Sequence, residues 1–360
     1  MVRPSADAYS GEGPVTGTDV LVRVEAGLGR ITLNRPRVIN ALNHEMVGAI
    51  AAALAEWASD DRVRAVVLDG AGERGLCAGG DIRSIHTDAS AGGEESLAFW
   101  ADEYRLNAAI ARFPKPYVAL MDGLVMGGGV GVSAHGSARI VTERSRVGMP
   151  ETGIGFVPDV GGTYLLSRTP GELGTHIALT AGQISGPDAI HCGLADHFVP
   201  SDELPRLLNL LAEREVDAAV AAVAQDPPPS GLAAEAEWID RCYAADSVPE
   251  ILRRLRGSGE AAASAAKEIE SKSPTALTVS LRALRAAAAL PDLESVLDQE
   301  YRISSAAFRT PEFAEGIRAQ IIDKDRDPAW SPASLAEVTD EQVAAYFVPL
   351  GERELGLAAH

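Results

Sequence analysis

Two carboxylates eight residues apart, Glu151 in MPETGIG and Asp159 in FVPDVGG, stand in loops built from proline, glycine and other small residues. A carboxylate held by its own backbone can attack a carbonyl, act as general base on water, or protonate a leaving group. Taken singly, a glutamate in such a loop is more often a cap or a surface charge. Upstream, Gly127, Gly128, Gly129 and Gly131 follow an apolar run and precede a stretch that reads as helix over 130–135. A helix N-terminus offers N–H groups without intrahelical partners and a positive dipole end, so it can hold an oxygen gaining negative charge. Glycines there also let two elements pack tightly, and spacing alone leaves both roles open. The glycines form no GxGxxG fingerprint and no Lys-Ser/Thr follows them, so a nucleotide loop is not indicated.

These loops need elements to position them. Residues 115–121 read as a buried strand entered through Pro116. Residues 20–25 and 30–33 read as two strands joined at Gly27-Leu28-Gly29, and Asn34-Arg35-Pro36 breaks the second. Asn43 can cap a helix with Met46, Val47, Ile50, Leu54 and Trp57 on one face. A strand over 63–68 completes a strand–strand–helix unit. The unit recurs as strand 117–121, helix from 129, strand 138–142 and helix from 159. Between units, the polar, glycine-rich residues 87–95 read as a mobile loop, followed by a helix to about 112 with Phe99, Leu106 and Ile110 on one face. A helix over 202–224 stops at Asp226-Pro227-Pro228-Pro229, the clearest boundary. Beyond it, 234–244, 248–255, 260–271, 276–290 and 293–308 are helical in character. The tail, 331–360, carries no usable signal.

With 360 residues and 46% hydrophobic content, the chain can bury a large core. Its net charge of −19 argues against nucleic-acid partners and anionic membranes, though a local basic patch could still hold an anionic ligand. Cys77, Cys192 and Cys242 are unclustered, so neither a disulfide framework nor a zinc site is expected, and Cys77 reads as packing. The seven histidines show no metal-ligand spacing and no Ser-His-Asp order, and His135 reads as a core or capping residue. Residues 1–18 read as a disordered leader without signal or transit character, and no apolar run is long enough to span a membrane. The expected location is the cytoplasm.

Four motifs appear in order: CAGGDI at 77–82, KPYVAL…MGGGVG at 115–131, MPETGIGFVPDVGG at 149–162 and FAEGIRAQIIDKDRDPAW at 313–330. On these the chain resembles the crotonase (enoyl-CoA hydratase/isomerase) superfamily from about residue 20 to 330. The last two motifs resemble its 3-hydroxyisobutyryl-CoA hydrolase branch. The resemblance implies an α/β fold, a ββα superhelical core over 19–226, with a C-terminal helical region over 230–330 covering the site. It implies hydrolysis of a short β-hydroxyacyl-CoA thioester, 3-hydroxyisobutyryl-CoA of valine breakdown, with CoA arriving as part of the substrate and neither metal nor separate cofactor. It places the oxyanion donors at the backbone N–H groups of Gly80 and Gly128, pairs Glu151 with Asp159, and sets Glu103 against the acyl group. Without the resemblance, Glu103 reads equally as a solvated helix charge. Asp81 would cap the following turn, and Arg35, Arg37 and Arg83 are candidates for the CoA phosphates. A homo-oligomer is expected from the superfamily, unless the helical C-terminal part replaces the partner contact.

One departure decides between reactions. Hydratases of the superfamily use a second glutamate three residues after the middle glycine of the triplet, where this chain has Gly131. That weakens the alternative of enoyl-CoA hydration or isomerisation, while intact Glu151, Asp159 and both glycines weaken that of a non-catalytic acyl-CoA-binding subunit. Nucleophilic attack by Glu151 through a mixed anhydride, and general-base activation of water, both stay open.

Overall fold

A computed structural model describes residues 18–358, so the leader expected at the N-terminus lies, but for its last residue, outside the described residues. The first half contains β1 (Val20–Glu25), β2 (Leu28–Leu33), α1 (His44–Trp57), β3 (Ala65–Gly70), α2 (Ile82–Ala91), α3 (Glu95–Ala111), β4 (Tyr117–Met121), β5 (Leu124–Met126), α4 (Gly128–Ser133), β6 (Ala138–Val141) and β7 (Arg146–Gly148). There follow α5 (Gly162–Leu166), α6 (Leu173–Thr180), β8 (Gln183–Ser185), α7 (Gly186–His191), β9 (His197–Phe198), α8 (Leu204–Glu213) and α9 (Val216–Ala221). The remainder is helical: α10 (Gly231–Tyr243), α11 (Val248–Arg256), α12 (Glu260–Glu270), α13 (Pro274–Ala287), α14 (Leu293–Ala307), α15 (Pro311–Ile317) and α16 (Asp340–Ala345).

The main sheet runs β1-β2-β3-β4-β6-β9, antiparallel only between β1 and β2. Both of its faces are covered, which is why its inner strands show no polar alternation. Val66 and Leu68 of β3 join one core with Met46, Ile50 and Leu54 of α1. Ala65 and Val67 point the other way, into a second core with Leu207 and Leu211 of α8 and Ala219 and Val220 of α9. Asn43 caps α1 as expected, its side chain accepting from the Met46 N–H at 2.9 Å. Only glycine fits at 29, because a β-carbon there would stand 2.5 Å from the Trp57 ring.

A second, smaller sheet positions the site. Strands β5 and β7 run parallel with Met126 beside Gly148, so the glycine run and the segment leading to Glu151 leave the sheet side by side. Residues 75–80 are stitched to the same edge: the Cys77 N–H donates to the Leu124 carbonyl at 3.1 Å and the Met126 N–H to the Cys77 carbonyl at 2.9 Å. Three sequence-distant segments thus emerge together.

The C-terminal helices cover that end. Helix α13 packs on α5 and α6, α14 on α3 and α5, and α15 on α2 and on a 3-10 turn at Glu151–Ile154. The last contact is backbone on backbone. A β-carbon at Gly316 of α15 would lie 2.3 Å from the Ile154 carbonyl carbon, and one at Gly155 would lie 2.6 Å from the Glu312 carbonyl oxygen.

Two expectations need correction. Residues 87–95 are not a loop: α2 runs to Ala91 and ends on Gly92 at φ 68°, while the Asp88 carboxylate accepts from the Ser96 N–H at 2.7 Å and fastens α2 to α3. The single helix over 202–224 is two, broken where Arg214 is extended. The Arg64 guanidinium takes the Leu211 and Arg214 carbonyls at the end of α8. The tail, which gave no usable signal in the sequence, contains α16, and its Leu357 and Ala358 N–H groups each donate to the Asp298 carboxylate at 2.9 Å. No helix among the described residues is long and apolar enough to cross a membrane.

Candidate active site

The converging segments line a cavity of about 340 Å³. Gly80, Gly128, Glu103, Glu151 and Asp159, all picked out in the sequence, lie on its wall. Gly127, at φ 48°, turns the chain out of β5, and Gly128 follows as the first residue of α4. Among the described residues neither the Gly80 nor the Gly128 N–H has a hydrogen-bond acceptor. The two are neighbours: a β-carbon on Gly128 would lie 3.4 Å from the Gly80 nitrogen and 2.6 Å from Glu103 Oε1. One on Gly127 would lie 2.7 Å from Glu151 Oε1. Two free N–H groups beside an open helix end are what an oxyanion needs, and any side chain at 128 would fill the space an acyl oxygen would take.

Four carboxylates are buried together. Glu103 Oε1 and Glu151 Oε2 have no partner. Burial, and then the charge of Asp159, pushes both groups well above the usual carboxylate range. Asp159 is also raised by burial, to about 7, although the Tyr104 hydroxyl donates to its Oδ2 at 2.7 Å. Glu300 of α14 accepts from the Gly161 N–H at 2.7 Å, the Thr163 N–H at 2.9 Å and the Thr163 hydroxyl at 2.5 Å, and burial pushes it to about 8. It thereby fixes the loop bearing Asp159, where Val160 (φ 53°) and Gly161 (φ 78°) are both left-handed. His135 completes the clamp: its Nε2 donates to the Val160 carbonyl at 2.8 Å, and burial lowers its pKa to about 4, so the ring is neutral.

A set of acids that cannot all ionise at once holds protons in reserve, and such a set serves as acid and base in turn. Among the described residues the one cation on the wall is Lys272, whose ammonium burial depresses. Apart from Gln320 the rest is apolar: Trp100 stacks on Phe156 at 5.1 Å, and Phe313 of α15 stands 4.9 Å from Phe156. Gly131 lies off this wall. A β-carbon there would meet Val160 Cβ at 2.7 Å and Asn107 Nδ2 at 2.9 Å.

Other residues singled out in the sequence lie off the cavity wall. Asp81 occupies the N-cap of α2 but does not cap it, because its carboxylate takes the Arg35 guanidinium at 2.9 Å. Arg83 donates to the Ile321 carbonyl at 2.8 Å, Arg37 is exposed, and none of the three arginines lines the cavity. The Cys77 thiol is buried, pushed up to about 12 by burial, and donates to the Asn40 carbonyl at 3.2 Å. Sequence reasoning missed Tyr104, Lys272, Glu300 and Ser304. A partial signal existed, since Phe99, Glu103 and Asn107 fall at i, i+4 and i+8 on the buried stripe of α3, where polar residues need a reason.

The family described as Enoyl-CoA hydratase/isomerase matches residues 28–347. A protein of Gallus gallus named 3-hydroxyisobutyryl-CoA hydrolase, mitochondrial, is 41% identical over 95% of this chain and 92% of its own length. Its Rattus norvegicus namesake is 42% identical over 94% and 90%. Among solved structures, one described as a carnitinyl-CoA dehydratase from Mycobacterium thermoresistibile superposes with a TM-score of 0.92 at 55% identity, covering 95% of this chain and 99% of that one. Another, described as an enoyl-CoA hydratase from Rhodobacter sphaeroides 2.4.1, gives 0.89 at 43% identity over 94% and 99%.

Proposed function

Because the chain belongs to the enoyl-CoA hydratase/isomerase family, we propose that it is an acyl-CoA thioester hydrolase that splits 3-hydroxyisobutyryl-CoA into 3-hydroxyisobutyrate and CoA, a step of valine breakdown. The observation that carries this reading is the make-up of one cavity. It joins two free N–H groups, Gly80 and Gly128, to the Glu151–Asp159 pair. The hydratase position, Gly131, meanwhile has no room for a side chain. The hydrolase names of the curated relatives support the same reaction.

The thioester carbonyl points its oxygen at the Gly80 and Gly128 N–H groups, which hold the charge of the tetrahedral state. Glu151, beside Gly127, either attacks the carbonyl carbon or takes a proton from water that does so. Asp159 orients the water or passes a proton to the departing thiolate. Either way water adds across the C–S bond, giving an acid and a thiol, with no metal and no cofactor beyond the CoA of the substrate. The orphaned Glu103 Oε1 accepts the β-hydroxyl of the acyl group, and the helical region over 230–330 roofs the site through Phe313 and Lys272. The three buried free cysteines fit a reducing compartment, and the reading places the enzyme in the cytoplasm.

A second reading, hydration or dehydration of an acyl-CoA, is favoured by the description of the 55%-identical structure. Thiol release from a panel of acyl-CoAs, run beside loss of absorbance from crotonyl-CoA, separates the two. Thiol release from 3-hydroxyisobutyryl-CoA that survives a chelator supports hydrolysis. Crotonyl-CoA hydration without thiol release overturns it.

A further inference from the structure

Asp159 is held through its backbone by Glu300 and through its side chain by Tyr104, and the second hold has a further member. Ser304 follows Glu300 by one helical turn on α14, so both project from the same face toward Asp159. Its Oγ lies 2.7 Å from the Tyr104 hydroxyl, which lies 2.7 Å from Asp159 Oδ2. Tyr104 and Ser304 are both fully buried. We propose that Ser304 is a positioning residue for the reaction, acting through Tyr104 to hold and stabilise the ionised Asp159.

Counting protons fixes the direction of the chain. An ionised carboxylate can only accept, so the single hydroxyl hydrogen of Tyr104 must go to Asp159. The Tyr104–Ser304 contact then has one hydrogen left, that of Ser304, which must donate to the tyrosine oxygen. Donation into that oxygen strengthens the tyrosine's own donation to the carboxylate. When Asp159 is protonated the constraint disappears, so the serine hydroxyl favours the charged form over the neutral one. Burial drives Tyr104 well above its usual range, and it stays protonated throughout.

The other groups facing Asp159 work in the opposite sense or are neutral. Glu103 from α3, Glu151 from the 3-10 turn and Glu300 from α14 are acids that disfavour a further negative charge. His135, after α4, is spent on the Val160 carbonyl. Among the described residues Lys272 is the one basic side chain on the cavity wall, and burial weakens its charged form. The hydroxyl chain from α14 is therefore the principal side-chain support for the Asp159 anion.

This rests on the hydrolase reading, and its test is built to fail separately. The acid limb of the kcat/KM profile is measured for the wild type, Ser304→Ala, Tyr104→Phe and the double variant, on whichever of thiol release or enoyl hydration the wild type catalyses. Losing the charge-assisted bond in Tyr104→Phe moves the limb up by roughly one to two pH units. Turnover at pH 7 then falls on the order of tenfold and recovers as the pH is raised. Ser304→Ala moves the limb the same way by a smaller amount, and adds nothing once Tyr104 is phenylalanine, because its effect passes through that hydroxyl. An unmoved limb in Ser304→Ala, or an equal shift in the Tyr104→Phe background, overturns the proposal. A wild type that hydrates without releasing thiol overturns the hydrolase reading and leaves this test intact.

Discussion

Gly131→Ala adds one methyl where the hydratases of the superfamily carry a glutamate. The new carbon would sit 2.7 Å from Val160 Cβ and 3.0 Å from its Cγ2, with Asn107 Nδ2 at 2.9 Å. Carbon contacts are comfortable at roughly 3.5–4.0 Å, so Val160 must move by close to 1 Å. It has little freedom to do so, being buried, left-handed and tied through its carbonyl to His135. Overpacking of this kind costs about 1–3 kcal/mol. At about 2.1 cal/mol/K per residue, a 360-residue chain loses roughly 1.3 °C of Tm per kcal/mol, so the expected drop is about 1–4 °C. The larger effect is on chemistry. Val160 is bonded to Asp159, and a displacement near 1 Å in a reacting group costs on the order of 100-fold. The assay pairs thermal melting with single-substrate thiol release. Gly48→Ala serves as control: it faces open space on α1 and should gain about 0.5–1 kcal/mol with unchanged turnover. Wild-type melting and turnover in Gly131→Ala would refute the packing argument. Efficient crotonyl-CoA hydration by Gly131→Glu would refute the claim that this position has no room for the hydratase group.

Glu151→Gln keeps the reach of the side chain but removes both nucleophile and base, so thiol release should fall at least a thousandfold while substrate binding, read by calorimetry, largely survives; retained turnover would mean the reaction is centred elsewhere. Glu300→Gln leaves one acceptor oxygen for three donors on the 161–163 loop and should lower kcat by about tenfold or more with little change in KM; a pure KM effect would count against its loop-holding role. Stability and activity should run oppositely with pH. Asp159 and Glu300 are raised in the folded state to about 7 and about 8, so the native protein keeps protons the unfolded chain has released. Their stabilisation is full below the unfolded carboxyl range and is lost as pH rises through 7 to 8, so Tm should fall between pH 5 and 9 while turnover climbs through about pH 7. A Tm that rises over that window would remove the basis for these shifts.

Much of the site was legible because its chemistry is written in unusual residues. The glycine run at 127–131 and the carboxylates among Pro and Gly at 151 and 159 stand out from any helix or strand pattern, while Gly80, Glu103 and the pairing of Glu151 with Asp159 came from the resemblance to the superfamily. What supports them was not legible. Glu300 and Ser304 sit in an ordinary helical stretch, and nothing local marks them as facing a loop 140 residues upstream. The misreading of 87–95 has the same origin. Polar composition suggested a loop, yet the helix there needs few apolar contacts, because Asp88 anchors it to the start of α3 and Gly92 ends it. Asp81 was misread because a distant arginine took its side chain. Local pattern shows what a residue can do, and the long-range partner decides what it does.

The two glycine contacts between α15 and the turn at 151–155 work like meshed teeth. With Gly316 against Ile154 and Gly155 against Glu312, main chain touches main chain, and no side chain lies between that could flex. The roof over the cavity and Glu151 beneath it therefore move as one piece. A single inserted residue in α15 would turn the helix by about 100° and bring a different tooth to the turn, shifting Glu151 and Phe313 on the cavity wall together. On its other side α15 packs on α2, and Arg83 of α2 donates to the Ile321 carbonyl at 2.8 Å, so the roof is fastened there by side chains. Glu151 stands at the edge of the enclosure where main chain meshes with main chain.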